Sequence, residues 1–451
     1  MKKHFIKGIL FMILVSILFL CACRQEPNPP AERITITSEI DVMLKSGSME
    51  IQNTYKTDYF RGDACLFDKD LALLSFALAA LTSRNNAIDT LNAMSFDNLR
   101  QNWNDEGKIN GCSYVIGHRT VDNYELVAVY VNGTGYNVEW AGNFTLGETG
   151  NHEGFDIAAK EVYEALKEYV AMYYPKKNIK FWITGYSRAA AIADVVAYNI
   201  IEEKDLNTRQ SDLYVYAFEA PASIAKDKAK AYQCIHNIMA ETDVIPAIPP
   251  LAYGLSRPGV ELKMASDPDT VNARLHEYVD QGIAMPTFTA GDDYNNPSEF
   301  LTYFIDGILS KSSNPTAASF ESREKYYSSI QVRIVYLTEV LEKNNSAGLR
   351  ALIKYIEDNR ASLFSIFMRW ISEDGFYSDL KEILTSCHTE YADSELKNAC
   401  SILPSLYLNE NLDAFLIGFV ADTDKRNNVM YITCCHYPEV CYALLKGYQE
   451  N

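Results

Sequence analysis

Positive charge is scarce in this chain of 451 residues: 41 lysines and arginines face 59 aspartates and glutamates, a net charge of −18 with histidine neutral. That balance excludes broad electrostatic adhesion to nucleic acid or to anionic lipid headgroups, because both ligands are themselves negative. No phosphate loop and no dinucleotide fingerprint occurs, so no nucleotide chemistry is expected. No segment has metal-ligand spacing, and Gly291-Asp292-Asp293 reads as a turn rather than a cation site. The expected cofactor set is therefore empty. No convincing internal repeat is present.

An apolar run near the start, Ile9–Leu20, follows Lys2, Lys3 and Lys7 and is too short for a comfortable membrane span. It ends in Leu20-Cys21-Ala22-Cys23, which resembles a lipoprotein signal-peptidase site. The expectation is a signal peptide over residues 1–22, with Cys23 acylated and residues 23–50 serving as anchor and linker. Arg24–Pro30 would be a stiff spacer, and attachment would come from the lipid, on the extracytoplasmic face of the cell membrane. The remaining eight cysteines are irregularly spaced, so disulfides and buried free thiols both stay open. Cys434 and Cys435 are read as neighbouring strand residues facing opposite sides.

The most informative segment is Ile183-Thr184-Gly185-Tyr186-Ser187-Arg188-Ala189. Small residues flank the serine at two positions, as a sharp strand-to-helix turn requires, although alanine stands where such elbows have a final glycine. Lys180–Ile183 suits a buried strand and Ala189–Ile200 an alanine-rich helix, whose N-terminus favours developing negative charge. Further on, Leu213–Glu219 and Ile235–Ala240 read as strands, the second running into Asp243. Val429–Thr433 reads as a strand ending before His436. An aspartate past a strand end can orient a histidine, and the chain order Ser187, Asp243, His436 is that of nucleophile, acid and base in α/β-hydrolases. His436 competes for the base with His276 and His388, both inside a helical region. His152 is read as structural, and His118 and His236 as strand residues.

Together these pieces resemble the class 3, or fungal-type, lipases. The match runs through Val131-Asn132-Gly133-Thr134, Trp140, His152-Glu153-Gly154-Phe155, the Ser187 elbow and Asp243–Pro250, and continues to Gly254 and Gly259-Val260-Glu261. Two departures stand out: Asn132 replaces the family's arginine, and the interval from Asp243 to His436 is unusually long. The resemblance implies an α/β-hydrolase with a central, mostly parallel sheet, and an oxyanion hole from the backbone N–H groups of Thr134 and Arg188. The hydrolase core is expected over 51–268, a helical insertion or cap over 269–422, and the C-terminal part of the core, carrying the base, over 423–451. The implied activity is cofactor-free hydrolysis of carboxylic esters, with lipids the expected substrates, through an acyl-enzyme on Ser187. The rival reading is a surface lipoprotein that keeps the fold and binds a ligand without catalysis.

Overall fold

The computed structural model describes residues 31–279, 336–401 and 431–449. Within the first stretch it omits 45–46, 82, 134–138, 140–141, 144, 146, 148–149, 175–177 and 250–253. Within the second it omits 338, 342, 345–346, 353, 356–358, 360–365, 367–368 and 371–374. The expected signal peptide, Cys23, Thr134 and much of 269–422 therefore lie outside the described residues.

The chain begins with β1 (Arg33–Val42), paired antiparallel with β2 (Gly47–Lys56). Two helices follow, α1 (Lys69–Ala79) and α2 (Arg84–Ala93). Then come strands β3 (Asp97–Asn102), β4 (Tyr114–Val121) and β5 (Tyr124–Val131), the long helix α3 (Glu153–Tyr173), β6 (Ile179–Tyr186) and α4 (Arg188–Glu203). The hydrolase half continues with β7 (Leu213–Phe218), β8 (Ile224–Ala225), β9 (Ile235–Ala240), β10 (Leu255–Ser256), β11 (Val260–Met264) and α5 (Pro268–Tyr278). The later helices are α6 (Gly375–Ser386), α7 (Asp393–Cys400) and α8 (Pro438–Gly447).

Seven strands form the main sheet in the order β11–β9–β7–β6–β5–β4–β3. The five from β11 to β5 run parallel, and β4 runs against both its neighbours. Short antiparallel β8 and β10 stand apart. The parallel strands β5, β6, β7 and β9 are buried along nearly their whole length, as strands covered on both faces must be, while β11 at the edge alternates. On β6 the split between faces is visible in the hydrogen bonds. Trp182 Nε1 donates to Ser75 Oγ at 2.8 Å and Thr184 Oγ1 to the Ser75 carbonyl at 3.2 Å, so this face meets α1. The alternate residue Gly185 lies against α4, where a Cβ would come within 2.4 Å of the Ala189 carbonyl oxygen. The mostly parallel sheet with helices on both faces, and with serine at the β6–α4 junction, is an α/β-hydrolase arrangement.

Three boundaries differ from expectation. Residues 33–42 are a strand and not a linker: Ile36, Ile40 and Val42 are buried at period two, the pattern of a half-buried strand. Helix α5 crosses the proposed boundary at 268/269. Its Val271 and Leu275 belong to the main core. The strand expected at Val429–Thr433 is helical from 431 to 434, with Cys435 N–H donating to the Tyr431 carbonyl at 3.0 Å. β-Branched composition favoured a strand there, but burial of Tyr431, Ile432, Cys434 and Cys435 decides the conformation. Cys434 and Cys435 are therefore both buried thiols in a helical turn. All eight cysteines among the described residues are free.

A second apolar cluster joins Val340, Leu341, Leu349 and Leu352 to Phe376, Leu380 and Leu384 on α6 and to Leu396 and Ala399 on α7. Ile109, from the loop before β4, is packed into it.

Candidate active site

Ser187 sits at the junction of β6 and α4 with φ 57° and ψ −128°, a conformation that L side chains rarely adopt. Its N–H donates to the Phe218 carbonyl at 2.8 Å, so the neighbouring strand holds the turn. Two glycines make the turn possible. Beside Gly185, discussed above, Gly133 presses the loop after β5 against the elbow, and a Cβ there would stand 2.3 Å from the Tyr186 carbonyl oxygen. Ala189 fits the last elbow position fully buried.

Asp243 lies three residues past the end of β9. Its N–H donates to the Ala240 carbonyl at 3.3 Å, and its Oδ1 accepts from the Ile245 N–H at 2.8 Å. The carboxylate is closed off from solvent. His436 comes from a distant part of the chain and reaches both partners. Its Nδ1 lies 2.6 Å from Asp243 Oδ2 and its Nε2 lies 2.8 Å from Ser187 Oγ. With Asp243 ionised, these partners assign the ring proton to Nδ1 and leave Nε2 to accept from the serine hydroxyl.

Several contacts deliver that histidine. Val244 N–H donates to the Ile432 carbonyl at 3.2 Å, and Thr242 Oγ1 meets Cys435 Sγ at 3.1 Å. The Tyr431 hydroxyl donates to the Ser266 carbonyl. Tyr186, next to the serine, donates its hydroxyl to the His436 carbonyl and stacks on the imidazole at a centroid distance of 5.3 Å. Pro438 then starts α8, whose Val440, Leu444 and Leu445 are buried in the main core.

The other histidines are elsewhere. His276 and His388 are exposed, the first on α5 and the second in a turn with φ 55°. His152 is the N-cap of α3: its ring accepts the Phe155 N–H at 3.4 Å, and Nε2 donates to the Asn143 carbonyl at 3.1 Å. Burial, aided by the Arg188 charge, pushes its pKa down to about 3. His118 pairs with the Tyr169 hydroxyl and His236 with the Ala64 carbonyl.

Arg188 stands at the first position of α4, where the helix dipole favours negative charge. Its side chain does work that the motif did not reveal. The guanidinium is buried, donates to the Gly111 carbonyl at 3.1 Å and Asn143 Oδ1 at 3.3 Å, and lies 5.3 Å over the Phe155 ring. Phe155 in turn stacks on His152 at 3.7 Å. The stack ties the loop that includes Asn143 to the elbow. A charged residue directly before an alanine run gives no sequence signal that its side chain turns inward. Among the described residues no group of histidine, cysteine and carboxylate side chains could hold a metal.

Residues 122–253 match the class 3 lipase family model, a span that contains Ser187 and Asp243 but not His436. Solved structures similar to the chain include a fungal lipase–inhibitor complex, at 16% identity over 47% of this chain and 81% of that one, with TM-score 0.34. The lipase of Rhizopus microsporus var. chinensis is similar at 18% identity over 44% and 74%, with TM-score 0.32. A triacylglycerol lipase with a serine-protease triad is 18% identical over 40% and 70%, with TM-score 0.30. No curated protein matches the chain. The family match makes the protein an ester hydrolase of lipase type. Through residues 122–253, the chain is similar to the class 3 lipase family.

Proposed function

We propose that the protein hydrolyses carboxylic esters of lipids through an acyl-enzyme on Ser187, at an extracytoplasmic membrane surface to which Cys23 tethers it. The observation that carries the reading is the continuous hydrogen-bond chain from Ser187 Oγ through His436 to Asp243. His436 accepts the serine proton as Oγ attacks the ester carbonyl, then gives it to the leaving alcohol. Water repeats the sequence to release the acid. Asp243 orients the imidazole and stabilises its cation. The oxyanion that forms is held by the Arg188 N–H and, from the loop pressed against the elbow by Gly133, by the Thr134 N–H.

The helical segment after α5 is proposed to contribute to the acyl pocket. Its apolar cluster takes in Ile109, two residues before the Gly111 carbonyl that receives Arg188, so it touches the flank of the site. A net charge of −18 supports attachment by lipid rather than by charge. The test is hydrolysis of emulsified triacylglycerol, phospholipid vesicles and soluble short-chain esters by the full chain, with S187A as control. The proposal expects release of fatty acid from a lipid substrate that S187A lacks. A folded protein that hydrolyses none of these, or only soluble esters, would overturn the lipid assignment.

A further inference from the structure

Glu219 follows directly on the last residue of β7, whose carbonyl accepts the Ser187 N–H. It is fully buried, and its φ of 52° is left-handed. A glycine would adopt that backbone without strain and would bring no carboxyl into the interior. What the side chain touches is therefore the question. Both carboxyl oxygens accept the Ala240 N–H, at 3.0 and 3.1 Å. The carbonyl of the same residue accepts the Asp243 N–H at 3.3 Å. Glu219 and Asp243 thus grip the two sides of Ala240, so two solvent-closed carboxyl groups meet at this end of β9 and Glu219 feels the Asp243 charge.

We propose that Glu219 is a positioning residue for the Ser187–His436–Asp243 chain: its carboxyl is neutral and donates its proton as a hydrogen bond to the Asp243 carboxylate. The inference rests on the function proposed above. Two carboxylates buried together cannot both ionise unless a cation compensates them. The groups facing Glu219 are Asp243 after β9, the Cys441 thiol on α8, the Tyr186 hydroxyl at the end of β6 and Cys435 of the C-terminal turn, and none is cationic. Burial first, then the Asp243 charge, push the Glu219 carboxyl far above the usual carboxylate range. The Cys441 thiol beside it is kept protonated by burial.

The consequence is a defined charge behind the base. Asp243 accepts from the Ile245 N–H, from His436 and from Glu219, and the pair carries a single negative charge. The Glu219 proton stays on Glu219 throughout turnover. By sharing it, Glu219 makes Asp243 a weaker attractor of positive charge. The imidazole then stays neutral, and able to accept the serine proton, to lower pH. Removing the donor concentrates the negative charge on Asp243, stabilises the imidazolium and moves the acidic limb of the activity profile upward.

The experiment compares wild type with E219Q and E219L in the full chain, each checked for folding by circular dichroism. Infrared difference spectra at neutral pH are expected to show that E219Q loses one neutral-carboxylic-acid carbonyl band. The acidic limb of kcat/KM is expected to rise by about one pH unit in E219L, the scale of one lost hydrogen bond to a charged group. In E219Q, whose amide still donates, it rises less than half as far. A merely structural glutamate would lower stability without moving that limb or separating the two variants. If E219L does not fold, E219Q and its infrared band decide alone. An unchanged band, or a superimposable E219L profile, overturns the proposal. Wild type that hydrolyses no ester would instead sink the function proposed above, and the infrared band would still decide the protonation of Glu219.

Discussion

The two halves of the candidate site are built in opposite ways. Ser187 and Asp243 stand past the ends of the parallel strands β6 and β9, with β7 between them, and each is held by a backbone bond to the sheet: Ser187 to Phe218 of β7 and Asp243 to Ala240 at the end of its own strand. His436 has no such frame. It lies in a helical turn far along the chain from the strands, and contacts from two side chains and one backbone N–H place it: Val244 N–H to the Ile432 carbonyl, Thr242 to Cys435, and the Tyr186 hydroxyl to the His436 carbonyl. The sheet edge is rigid because a strand cannot move alone. The C-terminal segment depends on the packing of α8 onto the core. Geometry on the first side is local, and on the second it is wholly tertiary.

The sharpest way to break that comparison is to remove one functional atom from each side. S187A and H436A should each lower kcat by roughly a million-fold without shifting the melting temperature, since neither side chain carries the fold. Steady-state ester hydrolysis beside thermal melts checks this. A surviving H436A activity within tenfold of wild type would mean another histidine serves as base.

Weakening the support without touching the chemistry should separate the halves. Leu445 is fully buried on α8, and Leu445→Ala is expected to cost about 2–5 kcal/mol of stability. Denaturant unfolding measures the loss, and activity should fail at a lower temperature than the sheet's own unfolding. Coincident loss of both would show that the C-terminal segment is no weaker than the sheet.

On the sheet side the tightest contact is at the elbow. Gly185→Ala puts a Cβ against the Ala189 carbonyl, and overpacking of that kind costs about 1–3 kcal/mol. The turn that aims Ser187 must shift, so kcat is expected to fall more than the stability loss alone explains. A Gly185→Ala enzyme with wild-type kcat would argue that the elbow has slack.

The last comparison concerns pH. His152 is neutral in the fold, with its pKa pushed down to about 3 from an ordinary 6.5. Between those values the unfolded chain binds the proton and the fold does not. The stability it contributes is therefore present above pH 6.5 and lost as pH falls, by up to about 1.4 kcal/mol per pH unit. His152→Asn, which keeps an N-cap, should flatten that slope in unfolding measured from pH 7 to pH 4. An unchanged slope would place the acid sensitivity elsewhere.

Much of the sheet side was legible in sequence because its signals are local. The apolar runs of β6, β7 and β9 and the small residues around Ser187 each follow from neighbours within ten positions. Strand β1 was missed because its alternation was read as part of a spacer after Arg24–Pro30. The helical turn before His436 was misread because β-branched residues there answer to burial and not to propensity. Arg188 and Glu219 show a further limit. One turns a guanidinium inward to Gly111 and Asn143 and the other places a carboxyl beside Asp243. Both roles arise only where distant segments meet. Thr134, proposed for the oxyanion hole, and Cys23, proposed to carry the lipid, lie outside the described residues.

The most direct test is to treat the full chain with a fluorophosphonate and map the adduct by peptide mass spectrometry, in wild type and H436A. The account predicts one modified residue, Ser187, and loss of labelling in H436A with the fold intact. Labelling of a different serine, or equal labelling of Ser187 without His436, would contradict it.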